Sequence, residues 1–423
     1  MTAVLRGFLG LVVLVLIGVA LSVNRRAIKP RVVMSALALQ VAIGVLMLFV
    51  RGGRVVLEAC AEAVNQVIAY GNKGVDFMFG GLVGTRMHEV FGDTGFVFAF
   101  RVLPAIIYVS SLIAILYHLG LMSWIVKALG SVFQLLIGVT RIESFSAVTT
   151  IFLGQSEMPV ALRPFAAHLK GPELFAIMTS GMAAVAGSTL AGYAGLGVRL
   201  DYLLAASLMA VPGGLLFAKL ICPSTETGII DFKELHFEER PSANVIEAAA
   251  GGAALGLKVA VNVGAMLIAF IGLIALLNGM VSGVMGWFGH PELNLEVLIG
   301  RAFSPLAWLL GVPWEQSGIA GSLIGQKLIL NEFVGYVGLA PYLKEPAAVL
   351  AAGLTVLDPR TIVIVSFALC GFANFSSIAI LAGGFGAVAP ELRAPIARYG
   401  LRVVAAASLS NLASATIAGA LLG

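Results

Sequence analysis

Two carboxylates, Glu157 and Glu332, stand in runs that are otherwise apolar. Glu157 closes Gly154-Gln155-Ser156-Glu157, with Ala147 to Leu153 before it and Met158 to Leu162 after it. A carboxylate at bilayer depth costs at least ~2.5 kcal/mol, so one that is retained faces a polar cavity and has a task. Gly154 and Pro159 interrupt the helix around it, and the freed backbone groups must find partners inside the protein. Glu332 repeats the arrangement in Gly325-Gln326-Lys327-Leu328-Ile329-Leu330-Asn331-Glu332-Phe333. The polar residues around these two segments include the amides Gln155, Asn331 and Asn374 and the hydroxyls Ser156, Thr189 and Ser377. Carboxylates accept from vicinal hydroxyls, and amides read the donor and acceptor edge of a heterocycle. Phe372 and Phe375 can flank a ring. The set therefore suits a sugar-bearing base. Lys327 is the only cation near it, which disfavours a strongly anionic substrate such as a nucleotide. Asn331 and Ser376 are read equally well as site groups or as groups that tie broken helices together.

The elements that carry these residues belong to a membrane. The chain has 423 residues, 59% hydrophobic and only 11% charged, with a mean hydropathy of +1.00. A soluble surface needs far more charge. The 50 glycines suit close-packed or interrupted membrane helices. A net charge of +4, with basic residues gathered at span ends, gives no footing for nucleic acid. Cys60, Cys222 and Cys370 are too scattered for a disulfide framework or a zinc site. Metalloprotease, Walker and Gly-x-Ser-x-Gly motifs are absent. The most plausible nucleophile, Cys370, has no histidine close in sequence, so an intramembrane enzyme is not the expected class. A passive channel would share this composition.

Spans need ~20 apolar residues. The first two fall at about 5–23 and 32–50. Asn24 to Arg31 follows the first with basic residues instead of a cleavage site, so it is read as a retained span with its N-terminus outside. Val55 to Tyr70 carries Glu58, Glu62 and Asn65 and is expected to lie at the interface. A third span covers about 96–121, with Arg101 and His118 snorkelling or paired near its ends, and a shorter amphipathic piece covers 122–138. Residues 141–170 are too short on either side of the Glu157 tip to cross, which describes a re-entrant hairpin. The span at 172–197 contains Gly181 to Leu190, rich in small residues, which either unwinds or packs tightly. After a span at 201–221 comes the one clearly soluble stretch, Pro223 to Ala249, with Asp231, Lys233, Glu234, Glu238, Glu239 and Arg240. A long span follows at 253–280, then an amphipathic segment, Asn294 to Trp314, broken by Pro305. The Glu332 hairpin precedes a span at 361–386 interrupted at Cys370 to Ser377, and a last span covers 398–422. Paired interrupted segments in two halves point to a transporter site at a repeat interface.

The fold expected is an all-α polytopic membrane protein. It has eight transmembrane helices, two re-entrant hairpins, interfacial helices and an inverted-repeat transport domain. The expected divisions are an N-terminal scaffold at 1–140 and a first transport segment at 141–222. A cytoplasmic loop at 223–252, a scaffold segment at 253–314 and a second transport segment at 315–423 complete them. Counting crossings places both termini outside.

At these residues the chain resembles the concentrative nucleoside transporters. Glu143-Ser144 with Gly154-Gln155-Ser156-Glu157 is similar to the family's first hairpin, and Ala186-Gly187-Ser188 to its fourth span. Asn331-Glu332-Phe333-Val334 is similar to the second hairpin, and Gly371 to Ser377 to the seventh span. Leu21 to Ile28 and Pro305 to Trp314 match as well. The resemblance implies a homotrimer in a bacterial inner membrane, with no cofactor and both termini periplasmic. It implies a transport domain that slides against a scaffold, carrying nucleosides such as uridine, cytidine and adenosine and driven by a cation gradient. By position, Gln155 and Glu157 would bind the base, with Ser156 lining the same tip, while Glu332, Asn374 and Ser377 would hold the ribose. Thr189 and Phe372 would line the base pocket.

The departures bear on the ion. In sodium-coupled members an asparagine five residues before the motif glutamine and a serine or threonine two before Ala-Gly-Ser ligate sodium. Two backbone carbonyls complete the set. The corresponding residues here are Thr150 and Ala184, with Leu153 and Val185 at the carbonyl positions. Ala184 has no ligating side-chain atom, and hard cations need several oxygens. The expectation is proton coupling with Glu157 or Glu332 as carrier, since desolvation favours the neutral carboxyl, and no metal bound. Sodium coupling, with water or a neighbouring oxygen filling the gap, is the alternative.

Overall fold

The computed structural model describes residues 3–84, 87, 90–91, 97–224, 242–290 and 293–422. Every regular element among them is helical, as the composition requires of a chain whose backbone must satisfy itself in lipid. The first apolar run is α1 (Ala3–Ala20). The Arg25 guanidinium donates to the carbonyls of Val19 (3.1 Å) and Ala20 (2.9 Å) and so closes the end of α1. Pro30, with no N–H to lose, opens α2 (Pro30–Gly44), which runs on through a π turn at Val45–Phe49. The amphipathic helix α3 (Arg51–Phe79) is longer than the Val55–Tyr70 segment expected, and buries only Leu57, Ala61 and Val75. A turn at Phe98–Arg101 leads into α4 (Leu103–His118), followed by α5 (Leu121–Ile137). Gly138, at φ +80°, ends α5 in a left-handed residue that glycine adopts freely.

Next come α6 (Arg141–Thr149), α7 (Gly171–Ala183), α8 (Gly187–Gly195) and α9 (Leu200–Ile221). The loop expected at 223–252 ends early. Asn244 caps α10 (Val245–Trp287), accepting from Glu247 N at 2.9 Å. Asp231, Lys233, Glu234, Glu238, Glu239 and Arg240 lie outside the described residues. The C-terminal half holds α11 (Leu295–Leu309), α12 (Trp314–Ile329), α13 (Glu332–Leu339), α14 (Pro359–Leu369), α15 (Ser376–Val388) and α16 (Arg393–Leu422). Pro305 does not break the helix, contrary to the expectation for Asn294–Trp314. It is accommodated inside α11. The turn falls later, at Leu310–Pro313, where Gly311 has φ +113° and α12 leaves α11 at 114°.

Among the described residues, six helical stretches are long and apolar enough to cross a membrane, or seven if the bent α11–α12 pair is one span. The expected first span is a shorter helix, and the expected 361–386 span is divided between α14 and α15. Two environments separate the stretches. Of the residues in an 18-residue apolar window, 94% are buried in Gly171–Gly195 and only 17% in Val245–Trp287, so α10 is an outer helix and α7–α8 an inner one. The same order occurs twice along the chain: short arms round a tip, a broken helix, then one long helix (α6 to α9, and α12 to α16). α9 and α16 pack on each other and receive α2 and α1 respectively, while α4 pairs with α10.

The α4–α10 contact depends on glycine. A Cβ at Gly256 would stand 2.7 Å from Ile107 Cα and 2.8 Å from Ser110 Cβ, both fixed by helix backbone. Gly256→Val should therefore cost about 1–3 kcal/mol by overpacking, read as a lower thermal unfolding midpoint in detergent. An unchanged midpoint would show that this close approach is absent.

Candidate functional site

The site forms where the two hairpin tips meet the two broken helices. α6 begins with a reciprocal cap: Thr140 Oγ1 accepts from Glu143 N, and the Glu143 carboxylate accepts from Thr140 N. Glu143 is fully buried and also takes the Lys219 ammonium of α9 at 2.5 Å. Lys219 in turn donates to Ser224 at 2.8 Å. This anchors the base of the first hairpin to the end of α9. Helix is lost from Thr150 to Glu157 and returns at Met158–Ala161. Two short arms thus flank a tip at the position where the sequence predicts a hairpin.

The span at 172–197 unwinds instead of packing as one helix. α7 ends at Ala183 and α8 restarts at Gly187. The partner break lies between α14 and α15, at Cys370–Phe375. The two breaks touch: Phe372 N donates to Ala184 O at 3.4 Å. A Cβ at Gly371 would lie 2.6 Å from Ala183 O, so the crossing leaves room only for glycine. α13 starts at the second tip, where Asn331 Oδ1 accepts from Val334 N at 2.9 Å. Asn331 is therefore a helix cap, which decides one of its two readings, although its Nδ2 is buried with no partner among the described residues. The cap places Glu332 in the first turn of α13, where the helix dipole favours a negative charge.

One hydrogen-bonded chain joins these elements. Gln155 Nε2 donates to Ser377 Oγ at 2.8 Å. Ser377 Oγ donates to Phe372 O at 2.6 Å and its N–H to Asn374 Oδ1 at 3.0 Å. Ser376 Oγ also donates to Asn374 Oδ1, at 2.7 Å. Asn374 Nδ2 reaches Glu332 Oε2 at 3.2 Å, and Tyr193 OH reaches Glu332 Oε1 at 3.1 Å. All except the half-buried Phe372 and Ser376 are buried, and Gln155 Oε1 has no partner among the described residues.

The other expected residues sit around this chain. Glu157 is half-buried and accepts from Gly154 N at 3.3 Å, so its recorded bond stays in its own tip and does not reach Glu332. Ser156 is exposed. Thr189 is buried, and its hydroxyl donates to Ala186 O at 2.7 Å in the first turn of α8. Phe372 is half-buried in the break, while Phe375 is 46% exposed. Lys327 is buried, and its ammonium donates to Ala368 O and Asn411 Oδ1, each at 2.7 Å. Sequence reasoning missed Tyr193 and Asn411. A polar residue inside a long apolar span was the available signal for Asn411. For Tyr193 only its spacing from Ala186-Gly187-Ser188 could have helped.

The segments that carry the altered sodium-site positions also come together. The first tip abuts the α7–α8 break, since a Cβ at Gly154 would stand 3.3 Å from Ala186 Cβ. Thr150 Oγ1 donates to Ala147 O at 2.7 Å and lies 3.4 Å from Ser180 O. Ala184 and Val185 are buried in the break, and Leu153 is half-buried in the tip.

Comparison with known proteins covers nearly the whole chain. The model of the Na+ dependent nucleoside transporter C-terminus matches residues 202–419, that of its N-terminus residues 9–82, and a nucleoside recognition model residues 99–199. The nucleoside permease NupC of Helicobacter pylori is 45% identical over 414 residues, covering 98% of this chain and 97% of that one. Human solute carrier family 28 member 3 is 35% identical over 396 residues, covering 92% of this chain and 56% of that protein. CNTnw in an inward-facing, substrate-bound state superposes with a TM-score of 0.94 at 51% identity, over 100% of this chain and 98% of that one. An outward-facing CNTnw variant superposes at 0.95 and 52% identity, with the same coverage. This extent of match in sequence and structure shows that the chain belongs to the concentrative nucleoside transporter family.

Proposed function

We propose that this protein is a secondary active symporter that imports nucleosides across a bacterial inner membrane by alternating access, driven by protons. The observation that carries the reading is the hydrogen-bonded chain from Gln155 through Ser377 and Asn374 to Glu332, set where two broken helices cross. In it Gln155 and Glu157 hold the base, with Ser156, Thr189 and Phe372 lining that side. Glu332, Asn374 and Ser377 hold the ribose hydroxyls. The unpartnered Gln155 Oε1 supports this, being an acceptor left for a base N–H. Both recorded partners of Lys327 are protein oxygens, which supports a neutral substrate over a nucleotide.

Alternating access draws support from CNTnw, solved in both inward-facing and outward-facing states. In this reading segments 141–222 and 315–423 move, and α4 and α10 belong to the scaffold. α1 and α2 were placed in the scaffold from sequence, yet they pack on α16 and α9. Gln40 of α2 donates to Ser414 Oγ of α16 at 2.9 Å. They therefore travel with the moving part or exchange these contacts in each cycle. Eight crossings, periplasmic termini and a homotrimer complete the proposal.

Proton coupling rests on the cation positions. Ala184 supplies no side-chain oxygen, and the Thr150 hydroxyl is shorter than the amide it replaces and a poorer ligand for a hard cation. Glu157 and Glu332 are the candidate carriers. Sodium coupling is the second reading, and two observations favour it. The matching family models are described as Na+ dependent. In addition, Ser146 and Ser180, one helical turn before Thr150 and Ala184, have buried hydroxyls with no partner among the described residues.

Uptake of labelled uridine and adenosine into proteoliposomes separates these readings. Under an imposed proton gradient, accumulation above equilibrium and its loss with a protonophore are expected. Dependence on sodium with indifference to a protonophore would instead establish the sodium reading, and equilibration without accumulation a channel. Glu332→Gln removes a charged acceptor from two hydroxyls and should lower nucleoside affinity roughly 100-fold. An unchanged uridine affinity by calorimetry would overturn the role given to Glu332.

A further inference from the structure

The ends of α7 and α14 converge on one pair of side chains that the substrate site does not use. Asn411 of α16 donates through Nδ2 to Ala183 O at 2.7 Å and to Cys370 O at 2.9 Å. Its Oδ1 accepts from Lys327 Nζ at 2.7 Å, and Lys327 also donates to Ala368 O at 2.7 Å. Ala183 is the last residue of α7, while Ala368 and Cys370 lie at the end of α14. These carbonyls carry the negative ends of two helix dipoles and have no helical donors left. Asn411 and Lys327 are 2% and 3% exposed, so water does not supply the donors.

We infer that Lys327 and Asn411 form a tethered-cation joint, in which Lys327 is a positioning residue for nucleoside binding. An amide can present either its oxygen or its nitrogen to a neighbour. The ammonium has only donors, so it fixes Oδ1 toward itself and turns Nδ2 onto the two broken ends. Lys327 also sits on α12, five residues before Glu332. The second hairpin is thereby held in register with both breaks, and Glu332 is held opposite Asn374. A lysine does here, from within the chain, what a bound cation does between helix carbonyls elsewhere. The link to nucleoside affinity rests on the function proposed above, whereas the joint itself does not.

The test uses Lys327→Ala in a protein whose other cysteines, Cys60 and Cys222, are replaced by serine. Cys370 is 1% exposed, so its reaction with a maleimide reports whether the joint is closed, with no nucleoside present. Lys327→Ala should label at least about tenfold faster and bind nucleoside at least about tenfold more weakly, as for a lost charged hydrogen bond. Propylammonium, which refills the space left by the side chain with its charge, should restore slow labelling and part of the affinity. Propanol of similar size should not. Lys327→Met keeps the bulk and should behave like Lys327→Ala without added amine, which also covers the case of an alanine variant that fails to fold. Slow labelling with unchanged affinity in either variant, or equal rescue by propanol, would overturn the inference. If propylammonium restores slow labelling and the parent protein binds no nucleoside, the joint stands and the function proposed above fails.

Discussion

The rest of this structure depends on one constraint: backbone groups freed inside an apolar slab must be satisfied by the protein itself. The chain stops being helical at Ala184–Ala186 and again at Cys370–Phe375, deep in its most buried elements. It meets the constraint by bringing the two breaks together. Phe372 N–H finds Ala184 O, Asn411 serves Ala183 and Cys370, and Lys327 serves Ala368. Gly371 is there because any side chain would meet Ala183 O. The breaks satisfy one another, and the polar groups they require make a site possible at that depth.

The site inherits its order from this arrangement. Gln155, Ser377, Asn374 and Glu332 come from the first tip, the second break and the start of α13, and they reach each other only because the breaks cross. Their polar groups bond mainly among themselves. Any ligand of these groups would exchange internal hydrogen bonds for its own, each exchange worth only about 0.5–1.5 kcal/mol net. The affinity of such a site depends on how well its groups are held. The Asn331 cap, Tyr193 behind Glu332 and the Glu143–Lys219 pair at the hairpin base do the holding.

The contact between the first tip and the α7–α8 break shows the same economy. The tip and the α7–α8 break are in contact, and carbonyl positions survive any substitution because they are backbone. Side-chain oxygens do not survive it. Ala184 has none, and the Thr150 hydroxyl lies between Ala147 O of its own helix and Ser180 O of α7.

Much of this was legible in the sequence because hydrocarbon imposes strong local rules. Apolar runs of spanning length, carboxylates between short arms, and glycines and prolines at interruptions marked most of the helices, both tips and the Cys370–Ser377 break, whereas Gly181–Leu190 read equally well as a packing face. They also single out Gln155, Glu332, Asn374 and Ser377. Boundaries were less secure where a rule is only statistical. Pro305 sits inside α11 because the turn is made by Gly311 and Pro313, and α3 extends past Tyr70 because an interfacial helix needs no apolar length limit. Pair identity belonged to the tertiary structure alone. That Tyr193 backs Glu332, that Lys327 points at Asn411 instead of at a ligand, and that Glu157 keeps to its own tip follow from contacts between residues up to 139 positions apart. A single chain records which residues are polar and where helices fail. Which carbonyl each donor reaches is decided only when two distant breaks are brought face to face.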